Sequence, residues 1–198
     1  MTEVEKARAG EITPALKEVA QFEGIDPEKL RILVADGRVV INGYARSHSR
    51  VIGIGEGLST KVNANIGTSP DHDDPSIELE KLDVAIEAGA DALMDLSTGG
   101  DIDAIRRTIL ERCTVPVGTV PIYQSVVEVT RRGGEIADCT KDDFLGVVER
   151  QAKDGVDFMT IHCGRTRRLA ERVAASRTAG VVSRCGCFLL QWMFANSQ

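Results

Sequence analysis

From residue 61 onward, short apolar runs alternate with amphipathic helical stretches, and this alternation limits the fold more than any other feature of the sequence. The runs fall at 61–66, 92–96, 115–120, 156–161 and 180–182, and the helical stretches at 76–88, 101–112, 141–153 and 166–177. Parallel strands need a crossover between them, so strands that alternate with helices build βαβ units. The strings EAGADALMD and AKDGVDFMT share one device, in which Gly89 or Gly155 ends a helix through a left-handed cap just before a buried strand. Strand starts about 23 to 40 residues apart suit a barrel. The expected fold is therefore α/β: an incomplete (β/α) TIM-type barrel of about five βα units, with a short helical N-terminal extension. A doubly wound sheet is the rival. Against it, no G-x-G-x-x-G follows the first strand, and polar residues end every strand instead of gathering at one crevice.

The expected domains are a helical extension and loop over 1–57 and the first part of the barrel over 58–198. Within the extension, Thr2 with Glu5 forms a capping box, and Thr13-Pro14 and Asp26-Pro27 each pair a cap residue with proline at the first helical position. A short strand follows at 38–41, and the Gly-rich, polar stretch 42–57 reads as a loop that covers something or moves. The leader is read as an extension without a second core. At the other end, 187–195 (CFLLQWMFA) is a helix apolar nearly all round, which needs burial on several sides, and the expected covering layer is missing.

The formal net charge of -6, without a strongly basic tract, argues against nucleic acid as the main partner. No apolar run is long enough to span a bilayer and the first ten residues are charged, so the expected location is the cytoplasm, without a membrane. Five cysteines, an odd number without the regular spacing of a secreted disulfide framework, are read as thiols.

Function in a parallel barrel sits where strands end. The first strand ends in Asn63-Ala64-Asn65, whose two amides point to one face, expected inward, where they need a partner. The second ends in Met94-Asp95-Leu96-Ser97-Thr98-Gly99-Gly100; Ser97, Thr98 and the glycines can wrap an anion or simply cap the next helix, and both readings stand. Met94 taken alone is core packing. The third, 116–124, carries prolines at 116 and 121 that place Tyr123 at the rim, and a lone Tyr is more often structural. The fourth ends in His162, a hydrogen-bond donor, general acid/base or metal ligand. The fifth ends in Ser183-Arg184-Cys185-Gly186, where Arg184 can clamp a carboxylate or phosphate. Zinc at His162, Cys163, Cys185 and Cys187 is disfavoured, because C-x-C is poor spacing for one site.

The strings KVNANIGTSP, ADALMDLSTGGD, VPVGTVPIYQ, GVDFMTIHCG and GVVSRCG occur in order from Lys61 onward. Together they resemble the phosphomethylpyrimidine synthase family of thiamine biosynthesis, and KARAGEITPAL with the GIGEGL loop resembles its shorter, archaeal-type members. The resemblance implies a radical S-adenosylmethionine carbon-carbon lyase that converts 5-aminoimidazole ribotide to hydroxymethylpyrimidine phosphate. It implies a 4Fe-4S cluster, S-adenosylmethionine and a divalent metal such as zinc as cofactors, aminoimidazole ribotide as the small-molecule partner, and a homodimer as an allowed assembly. Carried over residue by residue, it makes Asn65, Met94, Tyr123, His162, Ser183 and Arg184 substrate contacts, which reverses the packing reading of Met94 and Tyr123. Cys185 stands where the family has glycine, beside the expected phosphate, so a Cβ there is expected to impair close approach. The family's metal-binding histidines and its C-x-x-C-x-x-x-x-C cluster motif do not occur up to Gln198. The expectation is a fragment inactive on its own. The alternatives are a barrel lyase or aldolase acting on a phosphorylated sugar without a radical, for which no strand ends in a lysine, and a non-catalytic or decayed fragment that binds a phosphorylated ligand or a partner chain.

Overall fold

The computed structural model describes residues 1–43 and 45–196. Three capped helices open the chain: α1 (Glu3–Arg8), α2 (Pro14–Glu23) and α3 (Pro27–Ala35). Thr2, Thr13 and Asp26 accept the backbone N–H three residues on, with proline at the first helical position after Thr13 and Asp26. β1 (Val39–Asn42) then pairs antiparallel with β2 (Ile52–Gly55).

Two expectations for this leader are corrected. It owns a core, because Leu16, Val19, Leu30, Val34, Val39 and Ile41 are buried against one another. Each such side chain contributes about 1.5–3 kcal/mol on burial, so three short helices and a two-stranded ribbon suffice to build one. Nor is the stretch 42–57 simply a loop, because its second half is β2. Its first half is tied to the rest of the chain by Arg46. Arg46 Nη1 donates to the carbonyls of Leu110 and Cys113 at 2.7 Å each, and Nη2 donates to Val115 O and to the Asp157 carboxylate at 2.7 and 2.8 Å. Alternation of hydrophobicity misses this because the pattern of β2, IGIG, has glycine where a side chain would show it.

The second unit is a parallel sheet of β3 (Asn63–Ile66), β4 (Ala92–Asp95), β5 (Val117–Thr119) and β6 (Phe158–Met159), in that spatial order. Between the strands run α4 (Pro75–Glu87), α5 (Ile102–Arg112), and, from β5 to β6, α6 (Pro121–Arg131) and α7 (Lys141–Lys153). The order follows the chain without reversal, whereas a doubly wound sheet reverses at a switch point. One face of the sheet is packed: Ile66, Leu93 and Val117 meet Leu82 of α4 and Ile105 and Ile109 of α5. The opposite face is open.

The sheet has four strands among the described residues, not five. Residues 180–182 form no strand: Gly180 has a left-handed φ of 57° and donates its N–H back to Arg177 O in a turn, and Val182 is exposed. The third apolar run also ends earlier than its composition suggests. Pro121 sits at the first position of α6, so Tyr123 lies in a helix and not at a strand rim. After β6 come α8 (Arg167–Ser176) and α9 (Arg184–Ala195). α9 is not bare. Phe188 meets Tyr123 edge-on at 6.3 Å, Trp192 meets Phe144 of α7 at 5.6 Å, and the indole N–H of Trp192 donates to Cys139 O.

Candidate functional site

The open face of the sheet presents one continuous row. Register places Asn65 beside Met94, Met94 beside Gly118, and Gly118 beside Phe158. Asn65 is exposed and accepts from Asn63 Nδ2 at 3.2 Å, so the two amides face one side as expected but are solvated, not buried. Met94 is half-buried, with the Thr160 hydroxyl 3.9 Å from its sulfur. A Cβ on Gly118 would lie 2.2 Å from the Phe158 ring, so this glycine is what lets Phe158 lie flat across the row.

A second group gathers at the first turns of α6 and α9. The Ser183 hydroxyl caps α9 by accepting from Gly186 N at 3.1 Å and sits 3.0 Å from His162 Nε2. His162 Nδ1 is buried without a hydrogen-bond partner. The Arg184 guanidinium lies 5.8 Å from the Tyr123 ring centroid. Burial, and then the neighbouring Cys185 thiol, push the Tyr123 hydroxyl up to about 12, against a smaller opposing pull from Arg184. His162 also lines a mostly apolar cavity of about 200 Å³ with Pro121, Ile122, Phe144 and Leu189.

The structure thus brings Tyr123, His162, Ser183, Arg184 and Cys185 together, and Asn65 with Met94. Thr160, two residues before His162 on the same strand end, links the groups through Met94. Cys185 is itself buried in α9 beside Tyr123. A Cβ on the next residue, Gly186, would lie 2.6 Å from the guanidinium at the movable end of the Arg165 side chain. Arg165 lies outside the family strings, while Phe158 and Thr160 lie inside GVDFMTIHCG but are given no role by it; the smallness of Gly118 is the signal that points to Phe158.

The Ser97 segment is closed internally. Ser97 Oγ donates to Asp95 Oδ1 at 2.5 Å and accepts from Thr68 N at 3.1 Å, while Thr68 Oγ1 donates to Gly99 O at 2.8 Å. Gly67 and Gly99 permit this, since a Cβ on Gly99 would strike the Ser69 carbonyl. Asp95 is buried behind the lock, and burial raises its carboxyl pKa despite the hydrogen bonds from Ser97.

A sequence model of the Radical SAM ThiC family matches residues 2–198 of the chain. The chain belongs to that family. Similar curated proteins named phosphomethylpyrimidine synthase come from Desulforamulus reducens (54% identical over 98% of this chain and 45% of the relative), Moorella thermoacetica (51% over 100% and 46%) and Methanopyrus kandleri (48% over 98% and 46%). The chain spans about half the length of the curated relatives it matches.

Membership of the Radical SAM ThiC family brings with it a 4Fe-4S cluster and S-adenosylmethionine. The residues present do not fit the cluster. Cys113, Cys139 and Cys185 are buried, Cys163 and Cys187 are exposed, and among the described residues no three His, Cys, Asp or Glu side chains gather to hold a metal ion.

Proposed function

We propose that this chain supplies the ribotide-facing half of a phosphomethylpyrimidine synthase, the enzyme that rearranges 5-aminoimidazole ribotide to hydroxymethylpyrimidine phosphate. The observation that carries the reading is near-complete coverage of this chain at 48–54% identity by relatives of that name. In this reading the four-stranded sheet is one wall of a (β/α) barrel, 1–57 is an appended domain, and the open face is the barrel interior. The remaining strands, the cluster ligands and a divalent metal such as zinc come from the portion the relatives have beyond this stretch, and the enzyme works in the cytoplasm. No helix among the described residues is long and apolar enough to cross a membrane.

Asn65 offers an amide to the imidazole or ribose, and Met94 packs against the ring. His162 and Ser183, already hydrogen-bonded, hold a ribose hydroxyl or a phosphate oxygen. Arg184 contributes charge at the first turn of α9, where a helix N-terminus also favours an anion. Tyr123 stays protonated at any physiological pH, so it donates a hydrogen bond and does not act as a base. Cys185 occupies a buried position beside it and leaves the first-turn amides of α9 to the anion. These side chains orient the substrate and exclude water.

The test is a fusion of this chain to the corresponding C-terminal portion of the Desulforamulus reducens relative, assayed anaerobically for pyrimidine phosphate. The expected result is turnover by the fusion and none by the 198-residue chain, which lacks cluster ligands. A folded, cluster-loaded fusion without turnover, or turnover by the chain alone, overturns the proposal.

A further inference from the structure

The two residues of β6 point to opposite faces of the sheet. Met159 packs on the core shared with α4 and α5, so Phe158 belongs to the other face, the one that carries Asn65 and Met94. Side chains ordinarily stand off a sheet, each above its own strand. Phe158 does not. Its ring reaches over the neighbouring strand, where a Cβ on Gly118 would strike the Cε2, Cζ and Cδ2 atoms. Gly118 is buried on this face because the ring covers it. Register then carries the row on to Met94 and Asn65. Two residues after Phe158, the Thr160 hydroxyl reaches the Met94 sulfur at 3.9 Å, which puts Thr160 on the same face. Among the described residues Phe158 joins none of the three apolar clusters, so the core of this wall does not account for it. Its placement is set by register and by the missing side chain at Gly118, whatever surrounds the sheet.

We infer that Phe158 is a specificity-determining contact: the planar heterocycle of the ligand lies on the surface made by the Phe158 ring and the Met94 side chain, with the Asn65 amide at its edge. The inference rests on the ribotide reading of the site and adds what selects the heterocycle. Aromatic rings attract one another in offset-stacked or edge-on contact, and a stacking platform accepts any flat π face. The polarizable Met94 sulfur adds to that attraction. A ring-free sugar phosphate gains nothing from such a surface, so the row favours a nucleobase-like ring over the sugar phosphate alone. Further along the same segment come His162 and, hydrogen-bonded to it, Ser183, so the ligand's polar end points that way and its ring toward Phe158. Gly118 is part of the device, since any side chain there would push the phenyl ring off the row.

Isothermal titration of the 198-residue chain with 5-aminoimidazole ribotide and with ribose 5-phosphate, which keeps the sugar and phosphate but lacks the ring, tests this. The unaltered chain should bind the ribotide at least about tenfold more tightly than ribose 5-phosphate. Phe158→Leu keeps an apolar side chain but removes the π face. It should weaken the ribotide on the order of tenfold and leave ribose 5-phosphate unchanged. Gly118→Ala displaces the ring without removing it and should produce the same selective loss. An equal loss for both ligands marks a merely structural role and overturns the inference. So does ribotide affinity that both substitutions leave unchanged, or equal affinity of the unaltered chain for the two ligands. Binding of neither ligand by the folded, unaltered chain overturns the ribotide reading itself and the inference with it, so the two failures are told apart. Circular dichroism checks each variant, and if neither folds, the comparison of the two ligands on the unaltered chain decides the matter.

Discussion

Replacing Arg46 should loosen the leader from the sheet at a cost that is a large fraction of an ordinary domain's stability. The Asp157 side chain is fully buried, its Oδ2 accepts from Arg46 and from Val117 N, and its Oδ1 has no partner. Arg46→Met keeps the apolar stem but strips the carboxylate of its counter-charge and leaves the carbonyls of Leu110, Cys113 and Val115 without this donor. Breaking one side of a buried pair costs about 3–5 kcal/mol, against about 5–15 kcal/mol for a whole domain. With a urea m-value of about 2 kcal/mol/M, the midpoint should fall by roughly 1.5–2.5 M, read by circular dichroism. Adding Asp157→Leu removes the stranded charge, so the double variant should be more stable than the sum of the two single losses predicts. A midpoint shift below about 0.5 M, or strict additivity in the double variant, refutes the reasoning.

Gly118→Ala drives a Cβ into the Phe158 ring and should cost about 1–3 kcal/mol in urea unfolding, with Phe158→Leu recovering most of the loss; equal stability of the two single variants and the wild type counts against the packed row. The Tyr123 hydroxyl should titrate near 12, seen as the phenolate absorbance lost in Tyr123→Phe, and Cys185→Gly should move it back toward its ordinary 10.0. Because the folded value is the raised one, the associated stability is fully present below pH 10 and is lost as pH rises toward 12. A Tyr123 titration at the ordinary value removes the thiol contact from the account.

The parts of the fold that could be read from the sequence were those where one local rule acts alone. Caps at Thr2, Thr13 and Asp26, and the strands at 63–66 and 92–95, follow from side-chain reach and from apolar runs ended by glycine. The failures came where a partner decides. Residues 180–182 have strand composition but gain no neighbour to pair with, and IGIG pairs with VVIN although its glycines hide the alternation. At Pro121 two rules compete: the apolar run favours a longer strand, yet proline at a first helical position ends it. For the site, the residues brought together at α6 and α9 were those the family resemblance carried, whereas local reading had assigned Tyr123 to packing. The solvated Asn63 and Asn65 were expected buried because a closed interior was assumed, and the sheet alone leaves that face open.

In the proposed reading, the strand-end row and the first turn of α9 form a half-site for a phosphorylated imidazole ribotide. Isothermal titration of the 198-residue chain with 5-aminoimidazole ribotide tests it most directly, beside Asn65→Ala, His162→Ala and Arg184→Ala. Saturable binding is expected, weakened by each substitution by roughly tenfold, about 1.4 kcal/mol, the scale of one hydrogen bond to a charged or polar group. Absence of heat and of competition at millimolar ribotide, with the chain folded, or binding that all three substitutions leave unchanged, contradicts it.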